Sequence, residues 1–166
     1  MATGLRTTTA YRVNSDINMK NEIKISFLDE KDAPCVAKIE KECFPTPFSE
    51  SDIQGYLDSP IWHFLGAYDG DKLLGYISFT LIIDECQIVN VAVSPTDRKR
   101  GAGSLLVLSM LDYIRPLGAK KAYLEVRESN IGAISLYKKH GFLPVGISKN
   151  HYSQPTENAI LMNLEF

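Results

Sequence analysis

A chain of 166 residues, 45% of them apolar, is long enough to bury one core and too short for two domains of ordinary size. Its 18 basic and 20 acidic residues leave a net charge of −2, which excludes a global basic field for nucleic acid or an anionic membrane. No apolar run approaches the roughly 18 residues of a membrane span, and the three cysteines (Cys35, Cys43, Cys86) are odd in number and lack Cys-x-x-Cys spacing, which argues against a disulfide framework or a zinc site and for a reduced, cytoplasmic setting.

Residues 1–20 carry few large aliphatics and no helical or strand periodicity. They read as a disordered leader or a segment added for expression, and the domain as residues 21–166. Ile23-Lys24-Ile25-Ser26-Phe27 alternates apolar and polar, as a half-buried strand does. Asp32, with Pro34 in the first turn, starts a helix whose apolar positions are Val36, Ala37, Ile39 and Cys43, and Phe44-Pro45-Thr46-Pro47 stops it. Ser49 caps a second, short helix, with Asp52 where a capping box would prefer Glu or Gln.

Three β-rich segments follow, from His63 to Tyr68, Leu73 to Ile83 and Glu85 to Val93, with short connections that predict an antiparallel meander. A helix from Gly101 is apolar almost all round, so it should be buried, and Pro116 with Gly118 ends it. Next come a strand from Lys121 to Arg127 and a helix from Asn130 to His140, closed by Gly141. Two last strands, Phe142 to Lys149 and Ala159 to Phe166, are joined by a polar loop from Asn150 to Asn158. The order predicts an α+β fold with a central mixed, mostly antiparallel twisted sheet of about seven strands and about four helices.

The stretch between the meander and the buried helix is the most informative. Arg98, Lys99 and Arg100 precede Gly101 and Gly103 at a helix start, where unpaired N–H groups, the helix dipole and missing Cβ atoms suit a pyrophosphate. The nucleoside-triphosphatase loop pattern is absent, and Leu106 stands where a dinucleotide fingerprint needs its third glycine. The competing reading is a basic turn ahead of a glycine-rich helix cap. Arg98-x-x-Gly101-x-Gly103 matches the phosphate-loop signature of the GNAT N-acetyltransferases, and the chain resembles that superfamily from about Glu22 to Phe166.

Within it, Leu124-Glu125-Val126-Arg127-x-Ser129-Asn130 and Ala133-Ile134-x-Leu136-Tyr137-x-x-x-Gly141-Phe142 resemble the ribosomal-protein alanine N-acetyltransferases (RimI-type). Those enzymes acetylate the N-terminal alanine of the eighteenth protein of the small ribosomal subunit. Phe44-Pro45, Phe48-Ser49 and Tyr152 extend the resemblance to the acceptor side, although Pro47-Phe48-Ser49 stands where the family commonly has Pro-Trp-Ser. The resemblance implies acetyl-CoA as co-substrate, no metal, and an acceptor protein N-terminus, with no direct nucleic-acid or membrane partner. It implies that Arg98, Lys99, Arg100, Gly101, Ala102, Gly103 and Ser104 hold the pyrophosphate. The backbone of Val91, Ala92 and Val93, with Asn130, would take the pantetheine arm and thioester, and Phe48 and Tyr152 would contact the acceptor.

Two side chains are candidates for the proton transfers. Glu125 lies mid-strand on the face of Tyr123 and Arg127; burial would raise its pKa and make it a better base, and the alternative is an ion pair with Arg127 or a neighbouring strand. Tyr137 lies two helical turns after Asn130 and could protonate the leaving thiolate, or simply pack. Asn130 is a helix N-cap, a pantetheine partner, or both. His63, His140 and His151 have no metal-like spacing and read as surface or packing residues, and Cys86 as a thiol nucleophile explains less of the chain than direct transfer. Rival readings are an enzyme of the same fold acting on a small amine, polyamine or lysine, and a non-catalytic acyl-CoA-binding module, which would need the cradle but neither Glu125 nor Tyr137.

Overall fold

Strand residues alternate between two apolar faces, so the chain needs helices on both sides of one sheet. The structure, a computed structural model, describes residues 22–166; the leader expected over residues 1–20 lies outside them. The strands are β1 Lys24–Phe27, β2 Trp62–Asp69, β3 Lys72–Ile82, β4 Glu85–Val93, β5 Lys121–Arg127, β6 Leu143–Tyr152 and β7 Glu157–Glu165. They form a seven-stranded sheet in the order β1-β2-β3-β4-β5-β7-β6. Only β4 and β5 run parallel; every other pair is antiparallel. The helices are α1 Ala33–Cys43, α2 Glu50–Leu57, α3 Ala102–Ile114 and α4 Ile131–Lys139. The expected α+β architecture, with its meander and its seven strands and four helices, is the one observed.

Ile77, Phe79, Ile88, Leu124 and Val126 face α3, which buries Leu106, Val107, Met110, Leu111 and Ile114 against them. Phe64, Tyr76 and Ala92 face the other way, toward Val36, Ala37 and Ile39 of α1 and Ile53 and Leu57 of α2. Pro34 sits in the first turn of α1, where a missing N–H costs nothing, and Phe44 leaves the helix in an extended conformation before Pro45. The capping box of α2 forms despite the shorter acid: Asp52 Oδ2 accepts from the Ser49 amide at 2.9 Å, and Ser49 Oγ accepts from the Asp52 amide at 3.0 Å. Gly141, at φ +92°, closes α4 as the spacing predicts.

The expected loop from Asn150 to Asn158 is shorter than its composition suggests. β6 continues through Tyr152, so only residues 153–156 lie outside the hairpin. Pairing is irregular between Ser148 and Tyr152, with Asn150 at positive φ, and the Asn150 amide donates to Asn158 Oδ1 at 3.0 Å. An edge strand takes its stability from the ladder, so polar side chains did not prevent it.

The feature that positions the site is an interruption. β4 and β5 pair only at Glu85↔Lys121, Cys86↔Ala122 and Gln87↔Tyr123, then part. A register shift opposite Ser78 and Phe79 inserts Val89 as an extra residue in β4, and a bulge of this kind bends and twists its strand. The bent β4 stays against β3 through a close approach: a Cβ on Gly75 would lie 2.5 Å from the Ala92 carbonyl oxygen and 2.9 Å from Val93 Cα.

Those atoms are backbone and cannot step aside. Gly75→Ala is therefore expected to lower stability by about 1–3 kcal/mol, the range for overpacking a filled interior. Gly55→Ala, on the exposed face of α2 with nothing within 4 Å of the added methyl, should instead raise it by about 0.5–1 kcal/mol. Urea unfolding midpoints of the two variants measure both signs.

Candidate active site

β4 runs through a 3-10 turn at Pro95–Asp97 into the loop ahead of α3. Lys99 at φ +62° and Gly101 at φ +88° turn the backbone sharply there, and Gly101, the N-cap of α3, provides no side-chain cap. The first intrahelical bond runs from the Leu105 amide to the Gly101 carbonyl, at 3.0 Å. The amides of Ala102, Gly103 and Ser104 precede it at the positive end of a 13-residue helix. A Cβ on Gly101 would meet nothing within 4 Å, so that glycine is needed for its left-handed φ. Gly103 points inward: its Cβ would lie 3.4 Å from Leu136 and 3.9 Å from Val93, so it sets how closely α3 approaches α4 and β4.

The cations of the loop are not equivalent. Arg100 Nη2 is 2.6 Å from Asp69 in the β2–β3 turn, and its Nη1 is 3.5 Å from Asp97. Asp97, itself buried, also receives Lys72 at 2.9 Å, and that hydrogen bond holds its carboxyl below the usual range. Arg98 folds back so that its Nε donates to the Val93 carbonyl at 3.1 Å and its Nη2 lies 3.6 Å from Cys43 Sγ. Cys43 Sγ also reaches the Val93 carbonyl, at 3.4 Å. That carbonyl is thus already occupied, unlike the free strand edge expected for Val91, Ala92 and Val93. Ser104 Oγ lies 2.7 Å from His140 Nε2, a partner that sequence reasoning set aside as surface or packing.

Glu125 corrects a second expectation. Its side chain is 37% exposed; on this side of the sheet α1 and α2 pack on β2, β3 and β4. It does not pair with Arg127. Its Oε2 lies 2.9 Å from His151 Nε2 on β6, an ion pair whenever His151 is protonated. Arg127 instead holds the β6–β7 turn, through Glu157 at 3.1 Å, the carbonyls of Ser153 and Pro155, and the Tyr152 ring 4.4 Å below its guanidinium.

Tyr137 is buried on α4, edge-on to Phe142 at 5.8 Å between centroids, and desolvation pushes its phenol well above the usual tyrosine range. Tyr152 is half-buried, and burial first and the Glu125 charge second raise its phenol. Glu125, His151 and Tyr152 thus form one cluster, His151 lying edge-on to Tyr152 at 4.8 Å between centroids, whereas Tyr137 is buried with Leu124 and Val126 on the α3 side of the sheet. Asn130 caps α4, its Oδ1 accepting from the Ala133 amide at 3.2 Å.

In the linker between α1 and α2, Phe48 packs edge-on to Tyr56 (5.2 Å) and Trp62 (6.4 Å). Its amide donates to Glu40 Oε2 at 2.8 Å. Glu40 was missed from sequence, although Ala33, Val36, Ala37 and Glu40 follow helical spacing and so place it on the buried face of α1. His151 carried no such signal. Cys86 is fully buried, with its thiol pushed up to about 12 by desolvation, so it is no ready nucleophile. Among the described residues, no group of three or more His, Cys, Asp or Glu could hold a metal, and no helix is long and apolar enough to cross a membrane.

Comparison with known proteins gives this geometry a context. A [ribosomal protein bS18]-alanine N-acetyltransferase of Salmonella typhimurium is 32% identical over 142 residues, 84% of this chain and 95% of the relative. The crystal structure of the ribosomal-protein-S18-alanine N-acetyltransferase from Escherichia coli superposes with a TM-score of 0.80 at 29% identity, covering 87% of this chain and 94% of that one. Arabidopsis thaliana NAA60, crystallised with acetyl-CoA, shares the fold with a TM-score of 0.81 at 18% identity, over 87% of this chain and 99% of its own. The model of the Acetyltransferase (GNAT) family matches residues 33–142, from the start of α1 to the residue after Gly141, and so takes in the parted strands, the open helix start and Tyr137. A match of that extent, joined to relatives that align along nearly their whole length, makes the chain a member of the GNAT family and an N-acetyltransferase of RimI type.

Proposed function

We propose that the chain transfers acetyl from acetyl-CoA to the N-terminal α-amine of a cytoplasmic protein. The alanine that begins ribosomal protein bS18, the acceptor named for its relatives, is the preferred candidate. The observation that carries this reading is the parting of β4 from β5 between an uncapped helix start and a carboxylate–tyrosine neighbourhood. The amides of Ala102, Gly103 and Ser104 would hold the pyrophosphate, with Lys99 beside them and with Arg98 and Arg100 free to turn outward only by leaving their present partners. Alternation along β4 turns the Ala92 backbone toward β3 and that of Val91 toward the gap, so Val91, rather than Ala92, would bind the pantetheine amides and thioester carbonyl, aided by Asn130.

The amine attacks the thioester carbon, a C–N bond forms, the C–S bond breaks, and the nitrogen loses one proton while the thiolate gains one. Donors aimed at the carbonyl oxygen stabilise its developing charge. Glu125 takes the proton from nitrogen, with His151 beside it to orient the carboxylate. Tyr137 gives its proton to sulfur, and burial keeps that phenol protonated until it is needed.

The exposure of Glu125 helps choose the acceptor. An α-amine, with pKa near 8, is already about one-tenth neutral at pH 7, whereas lysine is neutral to only about 0.04%. A carboxylate open to water suits the easier deprotonation. Phe48 and Tyr152 would line opposite banks of the cleft, with an incoming peptide passing between them.

A peptide beginning with Ala should therefore be acetylated faster than the same peptide with a blocked N-terminus and a free lysine, and faster than spermidine; reversal of that order in a steady-state panel overturns the acceptor assignment. Glu125→Gln should depress the acidic limb of the rate profile without weakening acetyl-CoA binding. Tyr137→Phe should lower kcat by about 10²-fold, the scale of a lost general acid. Wild-type turnover in both variants would make the two side chains structural.

A further inference from the structure

Glu40 is a buried charge that the chemistry above does not use. It lies on the core-facing side of α1 with 1% of its surface exposed, and desolvation raises its pKa against the hydrogen bonds that favour its charged form. Three donors converge on it: the Phe48 amide on Oε2 at 2.8 Å, Asn90 Nδ2 on Oε1 at 2.8 Å, and the Tyr76 hydroxyl on Oε1. They come from three different pieces of the fold. Phe48 belongs to the linker between α1 and α2, Asn90 to β4 where it has parted from β5, and Tyr76 to β3.

Stability alone does not call for a carboxylate here. Well-packed apolar groups often replace a buried ionic cluster at no cost to stability. What they cannot supply is an acceptor for a linker amide. In Pro45-Thr46-Pro47-Phe48 both prolines lack an N–H, so Thr46 and Phe48 carry the only amide donors of the stretch, and that of Phe48 goes to Glu40. The same carboxylate fixes Asn90. Because it can only accept, the Asn90 amide must present Nδ2 to it and turn Oδ1 away. Asn90 projects on the α1 side of the sheet with its neighbours Tyr76 and Ala92, and Glu125 projects on that side too, opposite Leu124 and Val126.

The geometry points to Glu40 as a positioning residue for the acceptor: it holds the Phe48 bank of the cleft in place and orients Asn90 at the parted edge, so that a peptide N-terminus is aligned with the thioester. This rests on the reading that the acceptor passes between Phe48 and Tyr152. Glu40 touches neither substrate.

Glu40→Gln keeps the shape but replaces one accepting oxygen with an NH₂ that must face a donor, at either the Phe48 or the Asn90 end. The KM for the peptide is expected to rise about tenfold, the scale of one lost hydrogen bond to a charged group, while the KM for acetyl-CoA and kcat stay within about twofold of wild type. Tyr76→Phe removes a donor from Oε1 and the longer, 3.4 Å contact of Asn90 Nδ2 with the hydroxyl, but leaves Phe48 and Asn90 bonded to Glu40 at 2.8 Å each, so its peptide KM should stay near wild type. Equal rises in both KM values for Glu40→Gln, no rise at all, or an equal effect of Tyr76→Phe would overturn the assignment. Hydrogen exchange in the wild-type protein decides the anchor even if the variant does not fold: the Phe48 amide should exchange more slowly than that of Thr46, and equal rates would remove it. A protein that turns over no peptide would sink the acceptor reading, and the exchange measurement would still settle the Glu40 anchor.

Discussion

A sheet that opens its own ladder must be held open, and that requirement organises this protein. Backbone donors and acceptors withdrawn from pairing cost free energy on the order of 1–3 kcal/mol each when they are also shielded from water. The inserted Val89 bends β4, and the contact of Gly75 with the Ala92–Val93 backbone keeps the bent strand on β3. Arg98 and Cys43 then close on the Val93 carbonyl, where β4 ends. Each device sits within one strand of the gap. The gap is thus as fully specified as any element of the core.

Two chemical environments follow from the same arrangement. On one face of the sheet Ile88 of β4 and Leu124 and Val126 of β5 share a core with α3 and Tyr137, whereas on the other α1 and α2 pack on β2, β3 and β4. Tyr137 on the first side is desolvated, and its phenol holds its proton more tightly. Glu125 on the second side stays wet and can meet both His151 and an incoming group. In the proposed transfer, an acid that must keep its proton and a base that must be reached would belong in different surroundings, and the two faces of the sheet would provide them.

Alternation and helix punctuation made the fold legible. The strand faces, the proline stops and the glycine that closes α4 are local signals, and each element they predict is present. What was not legible depends on partners distant in sequence. Glu125 reads as buried if the middle of a strand is taken to mean the middle of a covered sheet, but coverage is decided by where α1 and α2 land. The Asn150–Asn158 stretch reads as loop because its side chains are polar, yet β7 provides a ladder that polar residues accept. His151 faces Glu125 only because β6 pairs across β7. Glu40 is different: its helical spacing with Val36 and Ala37 was available, and a carboxylate at that position is itself a sign that donors converge there.

The loop before α3 carries the same lesson into electrostatics. Its three adjacent cations suggest a positive patch, but counting charges overstates what they offer an anion. Arg100 is bound to Asp69 and Asp97, which tie the loop to the β2–β3 turn, and Arg98 is folded onto a carbonyl. Exposed ion pairs cost little to break, yet a guanidinium shared between two carboxylates still competes poorly for a third anion. The backbone is under no such competition. With Gly101 left-handed and offering no side-chain cap, the amides that open α3 face the gap at the positive end of the helix. Recognition of a pyrophosphate at this loop would then rest on donors fixed by the fold, and the arginines, committed to holding the loop in shape, would contribute by keeping those donors aimed.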